Sequence, residues 1–562
     1  MSEGKEKDLG KRIVQEFAQM VSERQPLEKT WQEAFQYTNP MRGQLFGQSG
    51  AIVDGVSLYS SSKTDQAKIF DSTASDAVTL LAASLMSGIT PSASQWFQFR
   101  IAGYEVSELP YDVRVWLNNA NKTLFSMIHN ASNYNSEVLE SLEDMATCGM
   151  FGLFITKEEG KNFVFENWPL DSLYVEENPK TKMIDEVYRV YTLTAEQAIR
   201  EFGEKNLPNE VVQAANSERL ENKKFEFIHC IKPRDSKGKT AKEMPIASIY
   251  VEKSSKIVVK ESGFNEMPVV IPRWSKIPLT SYAVGPTYKA LPDIKTLNKV
   301  VSMMLSNAEM AIAGTFIAKM DGYLNPNTIK IGPRKVVFAG DPNNIKPLTS
   351  GGDFRIAFEE IQRLQKQIKS VMMADELEPI QKNYASATEV STRAQLIRQI
   401  LGPIFARLQS EFLEPMLNRC FQLALRDGSF GPIPEALANS GAVLIPEYIS
   451  PMARAQKMED VAAMDRYEQS IATTAQLNQG ILDLYDFEAA SRKKALLLGV
   501  PSDVIRSKEQ IAKIRNEQAK AQQAQQEAAM QQQMMSDPRM VKNGIDALGG
   551  AEGLKELVQA QQ

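Results

Sequence analysis

One stretch of the sequence, residues 285–426, limits the fold of the chain more than any other. Apolar residues recur there at helical spacing in three places, and polar segments rich in Gly, Pro and Asn separate them. The stretch predicts five elements in order: a helix from about Pro292 to Ala313, a small strand-rich insert over 316–354, a second helix from Ile356 to Ala374, a polar loop over 375–388 and a long helix from Glu389 to Arg426. Two helices that bracket a small β-rich tip, with a loop after the second, indicate a mechanical role, and the stretch contains no catalytic constellation.

The three predicted helices differ in their surfaces. The first is apolar on more than one face over residues 300–313, which suits packing against neighbours on both sides. The second is charged and mixed, and Glu359 and Arg363 stand four residues apart as an expected surface ion pair. In the long helix, Gly402 precedes Pro403, which removes a backbone hydrogen bond and clashes with the preceding turn. A kink is therefore expected at this pair.

The sequence before this stretch predicts an α+β protein. Residues 1–285 read as helices first and then as a mainly antiparallel sheet, with a hairpin over 153–168. Gly88 is the expected C-terminal cap of one helix in this region. Thr194 is the expected N-cap of a short helix that Gly203 stops.

The sequence after it predicts helices. Residues 427–507 begin with a turn-rich break and continue as one strand and further helices. Residues 508–562 begin with a Gln/Ala-rich helix that lacks a clear apolar stripe. A coiled coil, side-by-side bundle or barrel in an oligomer and a frayed or disordered tail both remain open for it.

Composition excludes several functional classes. A net charge of −5 over 562 residues, with acids and bases mixed, argues against a protein that coats nucleic acid by bulk positive charge. It leaves room for a protein that lets nucleic acid pass without gripping it. Three distant cysteines and two isolated histidines predict neither disulfides nor a metal site, and they fit a reducing compartment. No apolar run approaches the ~20 residues of a spanning helix, and a polar N-terminus without a signal core predicts synthesis in the cytoplasm.

Enzyme motifs are also missing from the sequence. It has no phosphate-binding GxxxxGK[ST], no GxGxxG after a strand, no HExxH and no GxSxG. Acidic pairs such as Glu158-Glu159 and Glu176-Glu177 stand in hydrophilic turns, where we expect solvated surface and not a metal or acid–base site. The sequence therefore predicts no catalytic residue and no cofactor.

Four segments carry a resemblance to a known family. They are DSTASDAVTLLAASLMSGITPSASQWFQF (71–99), SNYNSEVLESLEDMATCGM (132–150), FENWPLDSLYVEEN (165–178) and GPTYKALPDIKTLN (285–298). The first is the most specific, because it joins an Ala/Leu-rich helix ending in Gly-x-Thr-Pro to a Trp-Phe pair. On these segments the chain resembles the head-to-tail connector, or portal, proteins of short-tailed, T7-like podovirus bacteriophages.

The resemblance implies a portal-type α+β fold. Its implied parts are a wing (1–285), a first stem helix (286–313), a clip (314–354), a second stem helix (355–374), a channel loop (375–388), a kinked wing helix (389–426), a helical crown (427–507) and a helical tail (508–562). Twelve copies would form a ring at one capsid vertex of the virion, through which double-stranded DNA is packaged and ejected. The implied partners are further copies of the chain, the terminase large subunit, a tail adaptor protein, and the major capsid and scaffolding proteins.

The resemblance also assigns residues to the channel loop and the clip. Lys382 would reach toward DNA phosphates from the loop, with Asn383 and Tyr384 beside it. In the clip, basic residues on strand-like flanks would meet the terminase and later the adaptor: Lys330, Arg334 and Lys335. A solvated hairpin surface is an equal alternative for these three.

Two other functions stay open at this stage. One is a cytoplasmic α+β enzyme whose active site shows no recognisable motif. The other is a helical scaffolding or adaptor protein that associates through its Gln-rich tail. A ring with a central hole in purified protein would separate the portal from both.

Overall fold

The computed structural model of the chain describes most of its residues, with gaps. The described residues are 2–43, 66–104, 109–158, 160–217, 223–234, 240–313, 316–318, 345–347, 354–374, 402–438, 443–449, 451–475, 479–498, 500, 506 and 508–536. They fall into two compact units. The first comprises Met1–Gln98, Ala120–Pro432 and Pro446–Asp465, and the second comprises Phe99–Asn119, Ile433–Ile445 and Arg466–Gln562.

Helices make up much of the described chain. In order they are α1 (Ser2–Thr38), α2 (Pro40–Gly43), α3 (Thr73–Ile89), α4 (Tyr111–His129), α5 (Tyr134–Cys148), α6 (Ala195–Phe202), α7 (Asn209–Ala215), α8 (Pro286–Ala313), α9 (Phe354–Val371), α10 (Glu414–Arg426), α11 (Glu435–Ala438), α12 (Pro451–Ala475), α13 (Phe487–Leu498) and α14 (Lys508–Ser536). Residues 402–408 are α-helical, and a π-helical turn, Gln409–Leu413, joins them to α10. We call residues 402–426 the 402–426 helix.

The strands form several small antiparallel sheets. In order they are β1 (Phe97–Ile101), β2 (Gly152–Lys157), β3 (Phe163–Trp168), β4 (Leu173–Glu177), β5 (Ile184–Thr194), β6 (Lys224–Pro233), β7 (Ile246–Glu252), β8 (Ile257–Phe264), β9 (Val269–Val270), β10 (Ser275–Lys276), β11 (Ala283–Val284), β12 (Phe316–Ala318), β13 (Ile345–Pro347) and β14 (Leu444–Tyr448). Strands β4 to β8 make a five-stranded sheet in sequence order, and a three-stranded sheet has the order β3-β2-β9. The remaining strands pair as β1-β14, β10-β11 and β12-β13. The helices and sheets confirm the predicted α+β class.

Helix α1 covers one face of the five-stranded sheet. Its apolar residues recur at helical spacing and pack on side chains that share one side of the pleat. The buried cluster contains Ile13, Phe17, Met20, Tyr174, Tyr188, Val190, Ile228, Cys230, Ala247, Ile249 and Val251. Phe17 meets Tyr174 edge-on, with ring centroids 4.8 Å apart.

A row of cross-strand partners crosses the opposite face. Arg189, His229, Tyr250 and Lys260 stand opposite one another on β5, β6, β7 and β8. The rings of His229 and Tyr250 stack with their centroids 3.9 Å apart. Burial, with the nearby Arg189 and Lys260, lowers the pKa of His229 to about 3, so that the imidazole is neutral. Charge therefore stands only at the two ends of the row, and His229 has a structural role.

A close backbone approach joins α5 to the start of α8. Gly149 follows α5 with φ +94°, and a Cβ atom there would lie 2.1 Å from the carbonyl carbon of Val284. Only glycine fits this position without strain. One turn later, the Thr287 hydroxyl donates to the Ala146 carbonyl at 2.8 Å. The base of α8 is therefore fixed to the end of α5.

The second unit contains α13, α14 and the end of α12. Within it, the Glu468 carboxylate accepts a hydrogen bond from the Tyr485 hydroxyl at 3.2 Å and pairs with Lys494 at 2.6 Å. Arg515 on α14 pairs with Glu488 on α13 at 3.0 Å. An ion pair therefore connects the Gln-rich helix to its neighbour.

Several local predictions are confirmed and two are wrong. Thr194 caps α6 through a full capping box, and Gly203 follows the helix as expected. Gly88 lies inside α3, which runs to Ile89, because Pro91 holds the preceding residue out of helical geometry. The expected pair of Glu359 with Arg363 is also wrong, since Arg363 pairs with the residue three positions earlier.

Candidate assembly surface and its anchoring

Helix α8 changes its surroundings near its middle. Its first half is buried through apolar residues at helical spacing: Ala290, Leu291, Ile294, Leu297 and Val301. Over residues 302–309 no side chain is buried. Met303 and Leu305 are 53% and 46% exposed there. The described residues therefore leave large apolar side chains in this half of α8 about half exposed.

Helix α9 shows the same division in reverse order. Near its start, Ile356 and Phe358 are 66% and 54% exposed. Further along, Ile361, Leu364 and Ile368 are buried, at the three- and four-residue spacing of one helix face. Helices α8 and α9 pack against each other and against α3. In sequence, the uncovered halves are the two that adjoin the β12-β13 pair, at the end of α8 and the start of α9.

Polar contacts fix the covered half of each helix to the segment before α3. The side chain of Asn298 accepts a hydrogen bond from the Phe70 amide at 2.7 Å and donates to the Lys68 carbonyl at 3.0 Å. The Gln365 amide donates to Asp71 at 2.8 Å. Both helices are thus held on residues 68–71 by hydrogen bonds. The last of these, Asp71, is the first residue of the segment 71–99, which carries the resemblance. The exposed half of each helix therefore extends from a half that the first unit holds in place.

A π-helical turn interrupts the 402–426 helix at Gln409–Leu413. Pro415 follows the turn, and because proline has no N–H, the carbonyl four residues earlier lacks its α-helical donor. A π turn adds one residue to the helix at such a point. It directs Phe412 into the core, where its ring meets Phe151 edge-on with centroids 5.5 Å apart.

Arg273 holds the π turn through two carboxylates. Its side chain is 3% exposed, and its Nε and Nη2 donate to the two oxygens of Glu411 at 3.1 and 2.9 Å. Its Nη1 donates to Glu177 at 2.7 Å, and Lys276 donates to the same carboxylate. Burial opposes the charge of each group, but these hydrogen bonds raise the pKa of Arg273 and lower the pKa of Glu177. Arg273 and Glu177 therefore both remain ionised at neutral pH.

The prediction that Glu176 and Glu177 form solvated surface is wrong for the second residue. The side chain of Glu177 is 10% exposed because Arg273 and Lys276 cover it. A polar turn in the sequence gave no sign of partners about 100 residues away. Pro415, inside a predicted helix, was a signal for the irregular turn that sequence reasoning missed.

Three further ion pairs hold the end of α10. Glu266 accepts from Arg419 at 2.8 Å and from both terminal nitrogens of Arg426 at 2.6 and 2.8 Å. Lys157 pairs with Asp427 at 2.6 Å. The hydrogen bond from Lys157, with others from a backbone amide and a serine, lowers the pKa of Asp427 to about 2. The 402–426 helix is therefore tied to the sheets along its length.

The cysteine and histidine side chains of the first unit are buried. Burial raises the pKa of the Cys230 and Cys420 thiols to about 12, so that they stay protonated. His129 accepts from the Trp96 indole at 2.8 Å and faces Asn135 at 2.9 Å. Within the described ranges, no three metal-ligating side chains come together. The helices in these ranges also include none that is long and apolar enough to cross a membrane.

The residues predicted for the channel loop and the clip lie outside the described residues. These are Lys382, Asn383 and Tyr384 of the loop, and Lys330, Arg334 and Lys335 of the clip. Gly402 and Pro403 begin the described part of the 402–426 helix, and both are helical. A kink at this pair involves residues 389–401, which are not described, so it stays a prediction.

Comparison with known proteins gives similarities over nearly the whole chain. A family model described as bacteriophage head to tail connecting protein matches residues 10–505. The portal protein of Salmonella phage epsilon15 is 27% identical over 541 residues, which are 93% of this chain and 93% of that protein. The probable portal protein of Bordetella phage BPP-1 is 25% identical over 549 residues, 94% of each chain. The similarities therefore concern both units.

Proposed function

The chain belongs to the bacteriophage head to tail connecting protein family, and its function is that of a portal, from which we propose that its copies close into a ring through the uncovered halves of α8 and α9. Of the three functions that the sequence left open, the comparisons support this one over an α+β enzyme or a scaffolding protein. The observation that supports the surface is the exposure of Met303, Leu305, Ile356 and Phe358. Large apolar side chains exposed together on a helical pair are typical of an interface.

The free energy gained by burying one apolar side chain is too small for a limited contact, which favours an extended contact between copies. Full burial of one such side chain is worth about 1.5–3 kcal/mol. Association of two proteins costs an estimated 4–15 kcal/mol in lost freedom, so one such contact does not hold two copies together. A contact that uses both helices of each copy, on two different sides, offsets that cost and closes into a ring.

The domain plan belongs to the same proposal. We assign residues 1–285 to the wing, α8 and α9 to the stem, 314–354 to the clip, 375–388 to the channel loop, 389–426 to the kinked wing helix, 427–507 to the crown and 508–562 to the tail. The ring has twelve copies and sits at the portal vertex of the virion, after synthesis in the host cytoplasm. It has no enzymatic activity of its own.

The partners follow from that position in the virion. The clip meets the terminase large subunit during packaging and a tail adaptor protein afterwards, and Lys330, Arg334 and Lys335 contribute to both contacts. The major capsid and scaffolding proteins surround the ring. Double-stranded DNA passes through the channel, and the net charge of −5 suits passage without tight binding, because each phosphate contact would resist sliding.

Polar substitution on the stem tests the proposed surface. We expect the double variant Leu305→Gln, Phe358→Gln to lower the yield of rings by at least about tenfold, since two buried apolar contacts are lost from every interface. The fold of the copy itself should be unchanged, because both side chains are about half exposed or more. Negative-stain microscopy and mass photometry measure the yield, and circular dichroism checks the fold.

Tyr288→Gln is the matched control for the stem variant. Tyr288 is 49% exposed on the same helix α8, in its covered half. It should leave the yield of rings near that of the wild type. Wild-type yield from the double variant would contradict the proposed surface.

A change in the channel loop tests the proposed contact with DNA. We expect Lys382→Ala, and deletion of residues 377–386, to alter packaging or retention of DNA while rings still form, because a positive charge near the phosphates is removed. Packaged DNA per particle and infectivity are the measurements. Lys180→Ala, at an exposed turn of the wing, is the control. Unchanged packaging, retention and infectivity in the deletion would show that this loop does not act on DNA.

A further inference from the structure

Two sheets of the first unit each end in a strand with an open side. Strand β3 is the outer strand of the sheet β3-β2-β9, and β4 is the outer strand of the five-stranded sheet. An outer strand presents unpaired N–H and C=O groups, to which a strand of another copy can add. In this chain, side chains already occupy both edges.

The edge of β3 is closed from the start of α5. The side chain of Asn133 accepts from the Phe165 amide at 2.9 Å and donates to the Phe165 carbonyl at 2.7 Å. One amide group thus makes the two bonds that the backbone of a neighbouring strand would make. Two residues further along the same edge, the Asn167 amide donates to Glu137 at 3.0 Å.

Asn133 makes these bonds in place of an ordinary helix cap. It occupies the N-cap position of α5, where asparagine usually accepts from the first N–H groups of the helix. Its side chain makes no such bond, and the Ser132 hydroxyl accepts from the Tyr134 amide. The residue type suits a cap, but the geometry commits it to the strand edge.

The edge of β4 is closed by hydroxyl groups from the segment between β10 and β11. The Ser281 hydroxyl accepts from the Glu177 amide at 3.0 Å, and the Tyr282 hydroxyl accepts from the Val175 amide at 3.4 Å. These are alternate residues of β4, so both donors lie on its outer side. A second element therefore closes a second edge by the same means.

We propose that Asn133 and Ser281 are specificity-determining residues for assembly, because they close the outer edges of β3 and β4 to strand addition by another copy. The inference rests on the proposed ring. Copies held side by side have a high effective concentration for one another. An open edge there competes with the stem contact and joins copies in ways that do not close.

Single substitutions at the two edges test this inference. In purified full-length protein, Asn133→Ala and Ser281→Ala should each lower the ring fraction by about threefold or more and increase irregular aggregates, because an open edge is a site for strand addition. Sedimentation and negative-stain microscopy measure the two fractions. Infrared spectra of the aggregates should show intermolecular β-structure. Asn130→Ala is the control, since this side chain donates a hydrogen bond to Ser126 in the preceding helix turn and not to a strand among the described residues.

Each outcome bears on the inference separately from the ring itself. Wild-type ring yield in both variants, without new aggregates, overturns the inference, and so does a loss of rings that leaves only folded monomers. If Asn133→Ala fails to fold by circular dichroism, Ser281→Ala alone decides. A wild-type chain that forms no rings overturns the proposed assembly, whereas rings from the wild type with unaffected variants overturn only the edge closure.

Discussion

Replacing Arg24 by methionine is expected to lower the free energy of unfolding of the first unit by about 3–5 kcal/mol, because a buried ionic group loses its partner. The side chain of Arg24 is completely buried. It donates to Glu28 twice, at 2.9 and 2.7 Å, and to three carbonyls of the turn between β3 and β4 at 2.7 to 2.9 Å. Its guanidinium also lies 3.7 Å from the centre of the Tyr174 ring.

The expected loss is large because methionine satisfies none of these acceptors. The carbonyls of Leu170, Asp171 and Leu173 would lose this donor in a buried place, where an unpaired acceptor costs about 1–3 kcal/mol. Urea unfolding followed by tryptophan fluorescence measures the change. All tryptophans except Trp116 lie in the first unit, so the signal reports mainly on it.

Arg12→Met is the matched control on the same helix. The side chain of Arg12 is 64% exposed and pairs with Glu16 at 3.7 Å. An exposed pair of this kind is worth about 0–1 kcal/mol, so the unfolding curve should barely move. A loss below about 1 kcal/mol in Arg24→Met would show that these hydrogen bonds do not stabilise the first unit.

Replacing Arg273 by methionine is the second change with a large expected effect. It leaves Glu411 of the π turn without its guanidinium partner and removes one of the cations beside Glu177, and we expect a loss of about 3–5 kcal/mol. The same urea experiment measures it. Arg363→Met is the control, since Arg363 is 58% exposed beside Glu360 on α9. Equal unfolding curves for the two variants would contradict the role of Arg273.

The pH dependence separates lost charge pairing from lost packing. Burial raises the pKa of Glu177, but hydrogen bonds from Lys276 and Arg273 outweigh this effect and hold it below its ordinary value of 4.5. A lowered pKa in the folded state gives stability that is present above the unfolded value and is lost as the pH falls through the folded value. The wild type should therefore lose more stability than Arg273→Met on acidification below pH 4.5. Parallel curves would indicate that the variant lost packing alone.

Local signals in the sequence were sufficient to predict many of the helices and strands. The first helix of the 285–426 stretch, predicted from about Pro292 to Ala313, ends where α8 ends, because apolar spacing marks its length, but α8 begins earlier, at Pro286. Thr194 caps α6 as expected, since the cap and its partner Gln197 lie within four residues. The hairpin of β2 and β3 follows from period-two alternation around a tight turn.

Side-chain partners that are far apart in the chain could not be predicted from the sequence. Arg24 reads as a solvated position of an amphipathic helix, yet three of its hydrogen-bond acceptors lie 146 to 149 residues away. Arg273 and Glu411 are 138 residues apart. Nothing in the local pattern of either residue indicates burial, because a charged side chain is ordinarily exposed and is buried only when tertiary partners surround it.

The same limit applies to the candidate surface. The sequence predicted a first stem helix that is apolar on more than one face, and the structure shows which part of that surface the chain leaves uncovered. The apolar start of α9 was missed, because the charged residues that follow dominate its composition. Ile356 and Phe358, two positions apart, were a short signal within a polar helix.

The most direct test of the account is the assembly state of the purified full-length chain at micromolar concentration. Negative-stain microscopy and mass photometry should show closed rings of twelve copies, with a central hole wide enough for duplex DNA. A stable, folded monomer without rings under the same conditions would contradict the account.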